Sequence, residues 1–106
     1  MKRLGPDDIR VAIACQSLLP LIKVARKLLR RRSVTPADVL RVAPGLEAWA
    51  DERNVSALAI AELVVAGAEP QPLVFTVVAQ ANPAFTSRRV ASVYRRWIET
   101  RPRRRA

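Results

Sequence analysis

Apolar positions recur along this chain at spacings of three and four. Proline, glycine and small capping residues interrupt them at intervals. That period marks helices that bury one face. Gly5-Pro6-Asp7-Asp8 reads as a helix start: proline suits the first helical position, and two acids favour the N-terminal dipole. Ile9, Ala12, Ile13 and the run Cys15 to Leu19 then follow a helical stripe. Pro20 either kinks this helix or begins a second one. Leu21, Val24, Ala25, Leu28 and Leu29 continue the stripe, and Lys23, Arg26, Lys27 and Arg30 fall on the opposite side.

Thr35-Pro36-Ala37-Asp38 is the sharpest start signal: a capping threonine, a proline at the first position and an acid where a capping box needs one. It predicts a short helix to about Val42. Pro44-Gly45 breaks it, and Leu46 to Arg53 form a second short helix, with Asn54 as terminator. Ser56 caps a helix over Ala57 to Ala66, apolar nearly all round and stopped by Gly67. Such a helix is expected at the centre of the core. Glu69-Pro70-Gln71-Pro72 reads as a loop. Leu73 to Ala81 has strand propensity in Val74 to Val78, yet its stripe is helical and a lone strand would lack a partner. A helix is predicted there. Asn82 to Phe85 is a turn, and Thr86 caps a last helix over Ser87 to Thr100, with Val90, Val93, Tyr94, Trp97 and Ile98 on one face.

The expected fold is therefore all-α: a compact bundle of about five to seven short helices with a C-terminal helix-turn-helix-like unit. At 106 residues, half of them apolar, residues 1–100 are expected to form a single helical domain. Residues 101–106 are expected to be a basic disordered tail.

Composition then narrows the function. There is no histidine, one cysteine and three scattered glycines. The commonest general base, a zinc cluster and a phosphate-cradling loop are thereby absent from the pattern, which points away from an enzyme and from any cofactor or metal. The longest apolar run, Val11 to Ile22, is too short to span a bilayer and is broken by Gln16, Ser17 and Pro20. Asp7, Asp8 and Arg10 just before it are wrong for a signal peptide. Ala12-Ile13-Ala14-Cys15 lacks the preceding apolar stretch of a lipid-attachment site. A reducing cytoplasm is the expected setting, with no membrane partner.

Charge changes the picture most. The net charge is +10, and it is concentrated. Lys23, Arg26, Lys27, Arg30, Arg31 and Arg32 lie in one segment without an acid. Arg88, Arg89, Arg95, Arg96, Arg101, Arg103, Arg104 and Arg105 lie in another against Glu99 alone. Between them Asp38, Glu47, Asp51, Glu52, Glu62 and Glu69 face only Arg41 and Arg53. A focused positive field attracts polyanions, nucleic acid foremost.

The last helix is the best candidate to meet it. Its apolar residues fill one arc, and Arg88, Arg89, Arg95 and Arg96 surround the small Ser92 on the other. Arginine's planar fork suits phosphates and guanine edges, and a small central residue lets the backbone approach a groove. Residues 73–100 then form a helix-turn-helix-like unit with 87–100 as recognition helix, although the connector is long and lacks glycine. Thr86 and Ser87 would reach phosphate together with free N–H groups of the first turn. Lys23, Arg26, Lys27 and Arg30 would grip phosphates, lie on an anionic membrane surface, or form the wet side of a core helix. Without Trp or Phe on its apolar side, that helix fits burial better than a membrane.

Trp97 and Tyr94 sit on the apolar stripe and are expected in the core, Trp49 with less definition, and Cys15 as a small buried hydrophobe. Glu47, Asp51 and Glu52 lack the companions of a carboxylate site and would keep nucleic acid off that side. The expectation is a nucleic-acid-binding protein, DNA favoured over RNA, in a regulatory or DNA-transaction accessory role. The alternative is a helical interaction module or ribonucleoprotein subunit whose basic faces meet an acidic protein partner, or a homodimer.

Overall fold

A computed structural model describes residues 3–27 and 34–100 of the chain. Among these, six helices and no strand are present: α1 (Pro6–Lys27), α2 (Pro36–Val42), α3 (Gly45–Glu52), α4 (Ala57–Val65), α5 (Pro70–Ala81) and α6 (Ser87–Thr100). The expected all-α class is therefore present. Arg30 to Arg32 and the basic segment 101–106 lie outside the described residues.

Local chemistry sets most helix ends. Thr35 Oγ1 accepts the Asp38 N–H at 3.2 Å, and Asp38 Oδ2 accepts the Thr35 N–H at 2.9 Å, closing a capping box. Those bonds to Thr35 hold the Asp38 carboxyl below its usual range, with Arg41 beside it contributing less. Ser56 Oγ accepts the Ala59 N–H at 3.0 Å to start α4. Gly67 at φ 90° and Asn54 at φ 59° occupy the left-handed conformation that ends a helix.

Three expectations need correction. Pro70 to Pro72 are not a loop but the first turn of α5. The first N–H groups of a helix have no intrahelical partner, so prolines there lose nothing. Pro20 does not begin a second helix: α1 runs through it, with Pro20 exposed. The third concerns the core.

The spine of the core is α1, which buries Val11, Ala12, Ala14, Cys15, Leu18, Ile22 and Ala25. It packs against α5, which buries Leu73, Val74, Phe75, Val77 and Val78, and against α6, which buries Val90, Val93 and Tyr94. α5 and α6 also pack on each other, so these three helices form a mutually contacting unit. Each fully covered side chain such as Leu18 or Ile22 contributes about 1.5–3 kcal/mol by leaving water.

Helices α2 to α4 form a second group, with α4 packed chiefly on α2. α4 is not the central helix that its composition suggests. It buries only Ile60, Ala61 and Val64, and Leu58 and Leu63 are exposed. An apolar circumference states what a helix tolerates; its neighbours decide its depth. Trp49 ties this group to α1: it is buried, and its indole N–H donates to Ser17 Oγ at 2.9 Å and to the Ala14 carbonyl at 3.3 Å. Among the described residues no helix is long and apolar enough to cross a membrane.

Candidate nucleic-acid interface

The approach to α6 is built by the turn before it. Asn82 is extended (φ −134°, ψ 80°), as a residue before proline must be. Its side-chain amide donates to the Val78 carbonyl at 2.8 Å, and its own carbonyl accepts the Phe85 N–H at 2.8 Å. Thr86 Oγ1 then accepts the Arg89 N–H at 3.1 Å and starts α6. The Thr86 hydroxyl thus serves the helix as its cap. Ser87 beside it is exposed.

Aromatic contacts fix which way α6 faces. The Tyr94 ring lies 5.9 Å from Phe75 of α5 at a tilt of 57°, and 6.3 Å from the ring of Trp97. Trp97 is half-buried and packs against the core, as its stripe position implies. Ile98, expected on the same face, is instead largely exposed, because it sits at the edge of the arc.

With that face inward, Arg88, Ser92 and Arg95 form an exposed row at spacings of four and three, ending at Glu99. Neither Arg88 nor Arg95 forms an ion pair with an acid among the described residues. Arg89 and Arg96 belong to the flank that faces α1. The Arg89 guanidinium lies over the Phe85 ring, 4.9 Å from its centroid, and 3.7 Å from Asp8 Oδ1. Arg96 is half-buried and lines a cleft of about 380 Å³ with Arg3, Leu4, Ile9 and Trp97. The four arginines of α6 are therefore two outward and two on the α1 side.

The cations of α1 divide differently. Lys23 and Lys27 are exposed. Arg26 is engaged within the protein: it donates to the Ala68 carbonyl at 2.8 Å and to Glu69 Oε1 at 3.2 Å, tying α1 to the α4–α5 connection. Arg30 lies outside the described residues. Asp8, which marks the position of Arg89, and Lys23 are separated by roughly 22 Å along α1 at 1.5 Å per residue. Among the described residues, Arg89 of α6 meets the start of α1, whereas Lys23 and Lys27 lie near its end.

Glu47, Asp51 and Glu52 are exposed on α3, and no group of acids, cysteines or histidines suited to a metal is present among the described residues. Cys15 is buried, and burial pushes its thiol up to about 12. Trp49 is closed off by the core on one side and by Arg53, 4.5 Å above its ring, on the other. Sequence reasoning missed Asp8 and Phe85 as partners of Arg89. Phe85 precedes the cap Thr86 and lies outside the helix, so helical spacing does not signal that pair. Nothing local signals Asp8 either. Comparison with known proteins finds no matching family model, no matching curated sequence and no matching solved structure.

Proposed function

We propose that this protein binds nucleic acid, double-stranded DNA above all, in the cytoplasm, as a regulatory or DNA-transaction accessory factor and not as an enzyme. α5 and α6 act as a helix-turn-helix-like unit with α6 as recognition helix. The carrying observation is the exposed row Arg88–Ser92–Arg95, whose two guanidinium groups have no acid partner among the described residues. Solvated helix faces ordinarily mix signs. A helix held on α1 and α5 by one face, with uncommitted arginines on the other, supports docking in a groove.

Arg88 and Arg95 neutralise phosphates and release counterions, which supplies most of the affinity. Ser92 keeps the centre of the face low, so the helix backbone comes close. Exposed Lys23 and Lys27 add sequence-neutral phosphate contacts from the far end of α1.

A second reading rests on a different observation. Ile9 and Ile13 are exposed near the start of α1, and Val24 is exposed beside Lys23 and Lys27 near its end. Exposed apolar side chains with cations beside one of them suit an acidic helical partner, or a second copy. A salt-dependent titration against duplex DNA, single-stranded DNA and structured RNA separates the readings. Nucleic-acid binding requires log affinity to fall with log salt at about 0.9 per phosphate contacted on B-DNA, several units in all. No binding at low salt, or a flat response, transfers the case to the protein partner.

A further inference from the structure

The arginines of α6 are chemically alike, but their restraint differs. Arg88 and Arg95 stand in solvent without a partner acid among the described residues. Arg89 has an aromatic ring under its guanidinium and a carboxylate at its edge. We infer that Arg89 is the residue through which α6 reads sequence, aimed at a guanine edge in the major groove of duplex DNA, with Asp8 and Phe85 as its positioning residues. This rests on the nucleic-acid reading above.

Geometry separates Arg89 from its neighbours in three ways. The ring of Phe85 backs the guanidinium, with the Cζ atom 4.9 Å from the centroid. Asp8 places a carboxylate beside it as an ion-pair partner, with its Oδ1 3.7 Å from Arg89 Nη2. Asp8 is itself held, because its Oδ2 accepts the Gly5 N–H at 3.1 Å, and its side chain is only 20% exposed. The start of α1 thereby grips the start of α6. The Arg89 side chain nevertheless remains 61% exposed, so a ligand can reach it.

That combination suits a base and not a phosphate. A phosphate is met by any rotamer that reaches it, and carries no sequence information directly. Guanine O6 and N7 require two parallel donors in one plane at one position. A side chain already restrained by a ring on its face and a carboxylate beside it loses less freedom on binding. The Asp8 carboxylate also repels a phosphate that would take Arg89 for itself, so it disfavours backbone use of this arginine. Finally, Arg89 lies in the first turn of α6, where recognition helices of this type present their base contacts.

The test begins with selection of preferred duplexes from a randomised pool by the intact protein. Affinity of each variant is then measured for the selected duplex and for a scrambled duplex of equal composition. Arg89→Ala is expected to cut discrimination between them by about tenfold or more, the value of one good bidentate contact. Asp8→Asn keeps an acceptor for the Gly5 N–H, and Phe85→Leu keeps an apolar side chain. Both are expected to lose part of the discrimination while their affinity for the scrambled duplex holds or rises, with melting temperature confirming the fold. Arg88→Ala and Arg95→Ala are expected to weaken both duplexes alike.

Three results overturn the inference and leave nucleic-acid binding standing. They are equal losses on both duplexes for Arg89→Ala, an equal gain on both for Asp8→Asn with discrimination unchanged, and no enriched sequence in the selection. Failure of the unaltered protein to bind any duplex, single strand or structured RNA at low salt overturns the underlying reading instead.

Discussion

α1 and α6 carry cations at the same helical spacings, yet they use them in opposite ways. α1 is the spine of the molecule, with neighbours along most of its length. Its Arg26 is drawn into the Ala68 carbonyl and Glu69, and only Lys23 and Lys27 remain exposed among its described cations on that stripe. α6 is covered from one side, by α1 and α5, and Arg88 and Arg95 have no acid partner among the described residues. Spacing makes a basic face. How many neighbours the helix has decides how much of that face is left for a ligand.

The comparison breaks most sharply at a thiol. Cys15 lies on the buried side of α1, with its thiol raised from 9.0 to about 12. Native protein should react with a thiol reagent about a thousandfold slower than an unstructured cysteine from ionisation alone. Ser92→Cys on the open face of α6 should react at once. Rapid labelling of Cys15 in the native state would mean that α1 is not the spine. The same shift has a sign in stability. The folded state keeps the thiol protonated where the unfolded state ionises it, so the contribution is intact below about pH 9. It is then lost as pH rises from about 9 through about 12, and denaturant melts across the lower part of that window should show stability falling.

Next in size is the packing contrast. Ile22 is fully covered in α1 and Ile98 is 46% exposed in α6. Ile22→Ala should cost about 2–5 kcal/mol, and Ile98→Ala well under half as much, in equilibrium unfolding. Equal costs would put α6 as deep in the core as α1.

The arginines sharpen the contrast further. Arg26→Ala removes two hydrogen bonds that join distant segments and should cost about 1–2 kcal/mol in stability. Arg88→Ala and Arg95→Ala should lie within about 0.5 kcal/mol of the unaltered protein. A silent Arg26→Ala would return that residue to the ligand-facing set.

The smallest effect is in the salt response. Arg88→Ala and Arg95→Ala should each lower the slope of log affinity against log salt by about one. Lys23→Ala and Lys27→Ala should lower it less, equally for all sequences. Larger losses at the lysines than at the arginines would move the principal contact from α6 to α1.

Much of this molecule is legible from its residues in order. The Thr35–Asp38 box, the Ser56 and Thr86 caps, and the turns at Asn54 and Gly67 are all contacts within about one helical turn. Their chemistry is complete in a few residues, so a short window contains both partners. The exposed row of α6 was legible too, because one face of a regular helix is defined by its period and by where Val90, Val93 and Tyr94 are buried. Proline is read less surely: Pro70 to Pro72 suggest a loop but occupy a first turn with no hydrogen bonds to lose, and Pro20 sits inside a continuous α1 although the sequence leaves a second helix start open there.

The sequence by itself determined the all-helical class, the caps at Thr35, Ser56 and Thr86, the concentration of positive charge and the outward side of α6, since each follows from propensity, period or charge. The tertiary structure alone decided that α1 and not α4 leads the core, that Arg26 is consumed by Glu69 and the Ala68 carbonyl, and that Asp8 reaches Arg89. These outcomes depend on which helices meet and at what height. Burial and ion pairing between residues far apart in the chain are properties of that packing, and no local pattern encodes the partner.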